Sequence, residues 1–206
     1  MVETTEILTA SAALRSPFSG HPQGRFPNVT GDVGVALTAT LLPGTALVST
    51  WISGIAELTA VLQKAWGSVP SQTGQTLATP HGLVLRTGPE EFMVIPVDGA
   101  PIASPLRALV AADTGSVTDL SHARCCIRIE GARCNTTLNK LFALDLREAS
   151  FPVGEVRLTG THHVPCALHR LGAERFDILV FSTYAYDQLG TVMDAALEFG
   201  VTVSLQ

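Results

Sequence analysis

Apolar residues recur along this chain in two periods, and their alternation lays out an ordered series of elements. Val35, Leu37, Ala39 and Leu41 alternate with other residues, which predicts a strand near 34–41, and a second strand is expected near 46–51. Ile55, Leu58, Leu62 and Trp66 recur at helical spacing and predict a helix near 54–66. Strands near 82–87 and 92–96 come next. Ser104-Pro105 reads as an N-cap followed by proline at the first helical position, opening a helix to about Ala112 with Leu106 and Leu109 inward. A short strand near 116–120 closes this half.

The back half runs the same way. A strand near 125–130 leads to a helix over about 132–143 that buries Cys134, Leu138 and Leu141. Strands follow near 154–161, 164–171 and 175–181. Ser182 or Thr183 caps a longer helix to about Phe199, with Leu189, Val192, Met193 and Ala196 on its apolar stripe, and 201–205 ends as a strand. An offset of 84 residues aligns identities between the halves: Arg86, Gly88, Glu90 and Phe92 fall on Arg170, Gly172, Glu174 and Phe176, and Val117-Thr118 fall on Val201-Thr202. Each half then reads β-α-β-β-α-β, a ferredoxin-like order that sets helices on one face of an antiparallel-rich sheet. The expected fold is α+β, two such modules in tandem.

Ahead of them, Pro17, Gly20, Pro22, Gly24 and Pro27 follow no period. They predict an extended arm over 1–32, before a first module at 33–122 and a second at 123–206.

Composition narrows the function. Only 15% of the 206 residues are charged and 46% are apolar, with mean hydropathy +0.31, which supports a packed core and excludes a disordered chain. A net charge of −5 excludes a nucleic-acid binder held by phosphate neutralisation. The interval between Asp32 and Glu57 holds no charge and is long enough to cross a bilayer, yet Pro43-Gly44 sits mid-way and the flanking pattern is that of strands. No membrane segment and no signal peptide is expected, so a cytoplasmic location is the default. Charge is scarce from Val33 to Leu106 and ordinary beyond, and Arg outnumbers Lys eleven to two. The scarcity of charge suits a surface covered by partner subunits, and the arginine excess suits either an interface or a GC-rich genome.

Candidate chemistry is thin. Neither a glycine-rich phosphate loop nor a His-Glu-x-x-His motif is present. His162, His163, Cys166 and His169 are possible zinc ligands by type, but on a strand His163 and His169 share one side and Cys166 takes the other. Sheet or interface histidines are the expectation. Asp119, Ser121, His122 and Arg124 put acid, hydroxyl, imidazole and guanidinium together, although a hydrolytic triad is built by the fold rather than by adjacency. The simpler reading gives Asp119 and Ser121 to a turn and Arg124 to an ion pair. Cys125, Cys126, Cys134 and Cys166 are expected as buried free thiols, and Trp51 and Trp66 as core. No catalytic, cofactor or metal residue is assigned.

Several ordered motifs carry a family resemblance. Val117-Thr118-Asp119-Leu120-Ser121-His122-Ala123-Arg124, Ile127-Arg128-Ile129-Glu130-Gly131, Leu144-Asp145-Leu146 and Phe151-Pro152-Val153-Gly154 are among them. His163-Val164-Pro165, Leu168-His169-Arg170, Phe176-Asp177-Ile178 and the run Asp194 to Gly200 follow, and Gly88-Pro89-Glu90-Glu91-Phe92 stands for a Gly-Pro-Asp-Glu-Trp segment with Glu and Phe as departures. Together, over about 80–200, they resemble the gamma subunit of heterotetrameric sarcosine oxidase. The resemblance implies a fold related to the folate-binding domain of aminomethyltransferases and a place beside alpha, beta and delta subunits in an assembly that demethylates sarcosine oxidatively to glycine. It implies FAD, FMN, NAD and tetrahydrofolate on partner subunits, zinc on delta, and no cofactor or catalytic residue on this chain. A free-standing folate-binding protein or aminomethyltransferase-like one-carbon enzyme is the alternative, and an α+β enzyme using Ser121, His122 or the histidine cluster a third.

Overall fold

The computed structural model describes residues 15–51 and 53–206. In chain order it contains strands β1 (Gly24–Phe26), β2 (Val35–Leu41) and β3 (Ala46–Thr50), helix α1 (Ile55–Trp66), then β4 (Thr76–Thr79), β5 (Gly82–Gly88) and β6 (Glu91–Pro96). Helix α2 (Ala103–Leu109) leads to β7 (Gly115–Asp119) and β8 (Arg124–Glu130). Helix α3 (Cys134–Leu138) precedes β9 (Val156–Thr161), β10 (Val164–Gly172) and β11 (Arg175–Phe181). A 3-10 turn at Ser182–Tyr184 runs into α4 (Ala185–Leu197), and β12 (Val201–Leu205) follows. The fold is α+β with antiparallel-rich sheets.

Strand alternation explains the layering. In the five-stranded sheet, ordered β4-β5-β6-β3-β7, Val48, Val84, Phe92 and Val94 point to one face and meet Leu58, Leu62 and Trp66 of α1 and Leu106 of α2. In the seven-stranded sheet, ordered β1-β12-β2-β8-β11-β10-β9, Leu37, Ile127, Ile129, Leu168 and Ile178 meet Leu138 of α3 and Leu189, Val192 and Ala196 of α4. The opposite faces meet each other: Leu85 and Met93 of the smaller sheet pack with Cys126, Val156, Ala167 and Leu179 of the larger. Four layers result, helices outside and two sheets within, because the central strands present apolar side chains on both faces.

The sheets are also joined edge to edge. Gln75 and Glu155 form an antiparallel bridge, the Thr76 amide donates to the Gly154 carbonyl at 2.9 Å, and the Val156 amide returns a bond to the Gly74 carbonyl at 2.7 Å. The two hairpins repeat each other beyond this joint. β5–β6 shifts register between Arg86 and Gly88, and β10–β11 shifts between Arg170 and Gly172. Arg86 lies 5.3 Å from the Phe92 ring and Arg170 lies 5.2 Å from the Phe176 ring.

Several expectations are corrected. Strand 35–41, expected with the first module, hydrogen-bonds in the larger sheet, antiparallel to β8 and parallel to β12. Alternation fixes which faces a strand shows and leaves its neighbours undetermined. The expected arm is partly structured: Phe18 is fully buried in the larger core and Gly24–Phe26 pairs with β12, while residues 1–14 of that arm lie outside the described residues. Helix 132–143 shortens to Cys134–Leu138, after which Lys140 and Leu141 make tighter three-residue turns. Asn135, Thr136 and Thr137 are poor helix formers, which accounts for the early stop. Ser104 does not cap α2, whose N-cap is Ile102; Pro105 still falls in the first turn, where its missing N–H costs nothing. Leu109, the last residue of α2, is 51% exposed. Likewise neither Ser182 nor Thr183 caps α4, since the intervening 3-10 turn makes Tyr184 the N-cap. Among the described residues, no helix is long and apolar enough to cross a membrane.

Candidate functional site

The segment after β7 folds on itself. Asp119 Oδ1 accepts hydrogen bonds from the Ser121 amide (2.9 Å) and the Ser121 hydroxyl (2.6 Å), which holds the Asp119 carboxyl below the ordinary carboxylate range. That is an Asx turn, as expected. Ser121 Oγ donates its proton to the Asp119 carboxylate, and the exposed His122 is not its hydrogen-bond partner, so the serine–histidine link of a hydrolytic triad is not formed here. Arg124 departs from expectation. It forms no ion pair among the described residues and instead stacks on Phe181, its guanidinium carbon 3.5 Å from the ring centroid.

The histidines separate by geometry. His162 and His163 form the two-residue turn between β9 and β10, with φ of 47° and 67°, and both are exposed. Such a tight hairpin demands the left-handed region at both positions. His169 sits in β10, 2% exposed, on the face turned toward the smaller sheet, and Cys166 faces the helices. Thr76 Oγ1 gives its only proton to the Gly154 carbonyl (2.8 Å), so the 3.0 Å contact between Thr76 Oγ1 and His169 is donated by His169 Nε2–H. His169 Nδ1 then carries a bare lone pair, buried and without a partner. Burial pushes the imidazole pKa down, against the pull of Asp177. No group of three His, Cys, Asp or Glu side chains is gathered for a metal among the described residues.

Across the sheet from His169, Asp177 receives a two-pronged bond from Arg128, Nε to Oδ1 at 2.7 Å and Nη2 to Oδ2 at 2.8 Å. Asp177 is 6% exposed, and its carboxylate holds the Arg128 guanidinium pKa above its ordinary value. This pair is held within one sheet by the register of β8 and β11 and needs no ligand.

All four cysteines are free and buried. Burial raises each thiol, Cys134 and Cys166 to about 11. Trp66 is core as expected. Trp51 is not: 54% of it is exposed, its indole N–H donating to the Ala112 carbonyl at 3.2 Å. Sequence reasoning passed over Glu91, Thr76 and the stacking of Arg124 on Phe181. The β8–β11 register that sets Arg124 opposite Phe181 has no local sequence signal.

Among the described residues these clusters amount to an Asx turn, a hairpin turn, an ion pair within one sheet and buried thiols. No family model matches the chain. Its sequence is 31% identical over 142 residues to the sarcosine oxidase gamma subunit of Corynebacterium sp. (strain P-1), covering 68% of this chain and 70% of that one. It is 30% identical over the same length to the gamma subunit from an Arthrobacter species, with the same coverage. A heterotetrameric sarcosine oxidase from Corynebacterium sp. U-96, solved in complex with pyrrole 2-carboxylate, contains a chain that superposes with a TM-score of 0.73 at 24% identity, covering 82% of this chain and 88% of that one. Glycine cleavage system aminomethyltransferase T from Bartonella henselae superposes with a TM-score of 0.59 at 13% identity, over 84% of this chain and 48% of that one. The fold is therefore one shared by a component of a multi-subunit oxidase and by an aminomethyltransferase. This chain belongs to the sarcosine oxidase gamma-subunit family.

Proposed function

We propose that this chain is a non-catalytic gamma subunit of a heterotetrameric flavin-dependent oxidase that demethylates sarcosine to glycine in the cytoplasm, as part of one-carbon metabolism. Its role is assembly and stability beside alpha, beta and delta subunits, which carry FAD, FMN, NAD and tetrahydrofolate. The observation that carries this reading is the identity over 142 residues with gamma subunits.

The finer fold reading belongs to the same proposal. β3-α1-β5-β6-α2-β7 is one ferredoxin-like module, its strands ordered β5-β6-β3-β7. β8-α3-β10-β11-α4-β12 is the second, ordered β10-β11-β8 and then β12, with β2 inserted before the last. On this reading the modules descend from one unit, which supplies the reason for the shared bulge and the shared Arg–Phe contact. The boundary near 120–124 separates the modules in sequence, while β2 ties the front of the chain into the second.

The test is to tag this chain in its native host and purify it under mild conditions. Three further chains and a flavin absorption band are expected to co-purify, and deleting the chain is expected to leave the other three unable to form a stable complex. A chain recovered alone as a stable monomer, with sarcosine oxidation intact in its absence, would refute the reading. Quenching of tetrahydrofolate fluorescence by the isolated chain would favour the folate-binding alternative.

A further inference from the structure

Between the two sheets lies a cleft of about 400 Å3. Its floor is Met93, Ala167 and Leu179, which belong to the apolar layer joining the sheets, and Leu158, 62% exposed, stands at its mouth. The volume falls in the range of small-molecule sites, roughly 300–1,000 Å3, and the mostly apolar lining is typical of them.

Two opposite charges line it from different walls. Glu91 belongs to the smaller sheet and Arg124 to the larger, and they form no ion pair with each other among the described residues. Arg124 Nε is buried without a hydrogen-bond partner. A buried donor left unpaired is costly, the more so when it is charged. Arg86, which also has an orphaned Nε, differs in kind, because its other nitrogens donate to the Ser71 and Pro89 carbonyls. Arg124 has the stack on Phe181, which fixes the plane of its guanidinium and leaves its donors uncommitted. Across the cleft, Glu91 Oε1 accepts from Thr87 Oγ1 at 2.7 Å, which orients the carboxylate and leaves its other oxygen to accept a donor.

We propose that this cleft binds a small amphipathic organic anion that also carries an N–H group. Its carboxylate or sulfonate lies on the guanidinium of Arg124, whose planar fork suits a two-oxygen anion. Its N–H donates to Glu91, and a flat apolar body covers Met93, Ala167 and Leu179. Simple cations are disfavoured by Arg124 and dianions by Glu91. The site is independent of the oxidase reading, since every residue in it belongs to this chain.

The probe is anilinonaphthalene sulfonate, which combines sulfonate, N–H and aromatic body and fluoresces when sheltered from water. Titrated into the full chain, it is expected to show saturable enhancement with one dye per chain. Arg124→Met is expected to weaken binding about tenfold or more, the loss of one charge-assisted interaction. Arg124→Lys should recover part of that loss, Glu91→Gln should weaken binding less, and Ala167→Phe should abolish it by filling the floor. Because Arg124→Met removes an unpaired donor and keeps the stem over Phe181, its thermal midpoint should match or exceed the parent's, so it decides the matter even if Ala167→Phe does not fold. Absence of saturable enhancement, equal binding by the parent and Arg124→Met, or a midpoint lowered by Arg124→Met as by a core truncation would overturn the site.

Discussion

Leu37→Ala tests whether the chain unfolds as one body. Leu37 is 1% exposed, at the middle of β2, opposite Val203 of β12 on one side and Ile129 of β8 on the other. The substitution removes three buried carbons, about 2.4 kcal/mol at roughly 0.8 kcal/mol each. The cavity left in a layer backed by α4 brings the loss to about 2–5 kcal/mol. For a chain of this length each kcal/mol lowers the thermal midpoint by about 2–4 °C, so a loss near 3 kcal/mol lowers it by roughly 6–12 °C. The assay exploits the placement of the two tryptophans: Trp66 lies in the core of the smaller sheet and Trp51 follows β3 of that same sheet, far from the mutated strand in topology. Their fluorescence reports the smaller sheet, and far-UV circular dichroism reports the whole chain. The shared apolar layer and the paired bonds at Thr76 and Val156 couple the sheets, so both signals should shift together. A fluorescence midpoint that stays at the parent value while the dichroism midpoint falls would refute the coupling.

Three further outcomes follow from the same structure. Phe18→Ala should cost about 3–5 kcal/mol in urea denaturation, since Phe18 is wholly buried in the larger core; a loss under 1 kcal/mol would show that the arm does not hold there. His169 has its folded pKa pushed down by burial, so the unfolded chain binds the proton more readily. Its contribution is complete above the unfolded value of about 6.5 and is lost as pH falls toward the lower folded value; His169→Gln should flatten that part of the stability–pH curve, and an unchanged slope would contradict the burial argument. Burial raises all four thiols, so Ellman's reagent should label none in the native chain at mildly alkaline pH and four in denaturant, whereas rapid native labelling would mean that a cysteine is open to solvent.

What could be read from the sequence follows from what each signal encodes. Ile55, Leu58, Leu62 and Trp66 located α1 because helical spacing and burial are the same fact seen twice. Cys125 and Cys126 lie in different cores because neighbouring residues of a strand point to opposite faces, which adjacency in the sequence already implies. Alternation also found β2, yet nothing in Val35 to Leu41 says that its neighbours are β8 and β12, some 85 and 160 residues downstream. β4 went unnoticed because four residues between a glycine-bearing turn and His81 are too short to show a period. The cleft was illegible for the same reason as the β2 pairing: Glu91 and Arg124 sit on different sheets, and only the stacking of those sheets sets them across from each other.

Arg86 and Arg170 show where a repeat in sequence stops being a repeat in energetics. Both stand just before the same hairpin bulge, both lie over the phenylalanine of the partner strand, and both donate to the carbonyl three residues on, Pro89 and Ala173. Arg170, however, is 3% exposed and also donates to the Leu146 and Phe151 carbonyls, which belong to the long connection between α3 and β9. That connection is where the two halves diverge, since α1 has twelve residues and α3 has five. A short helix leaves more irregular backbone to satisfy, and a buried guanidinium with its several donors is suited to satisfy it. In the front half the longer helix satisfies its own backbone, and Arg86 needs to reach only Ser71. The same residue at the same offset therefore anchors a loop in one half and trims a turn in the other, because burial and available acceptors set its weight, and these follow from the length of the preceding helix.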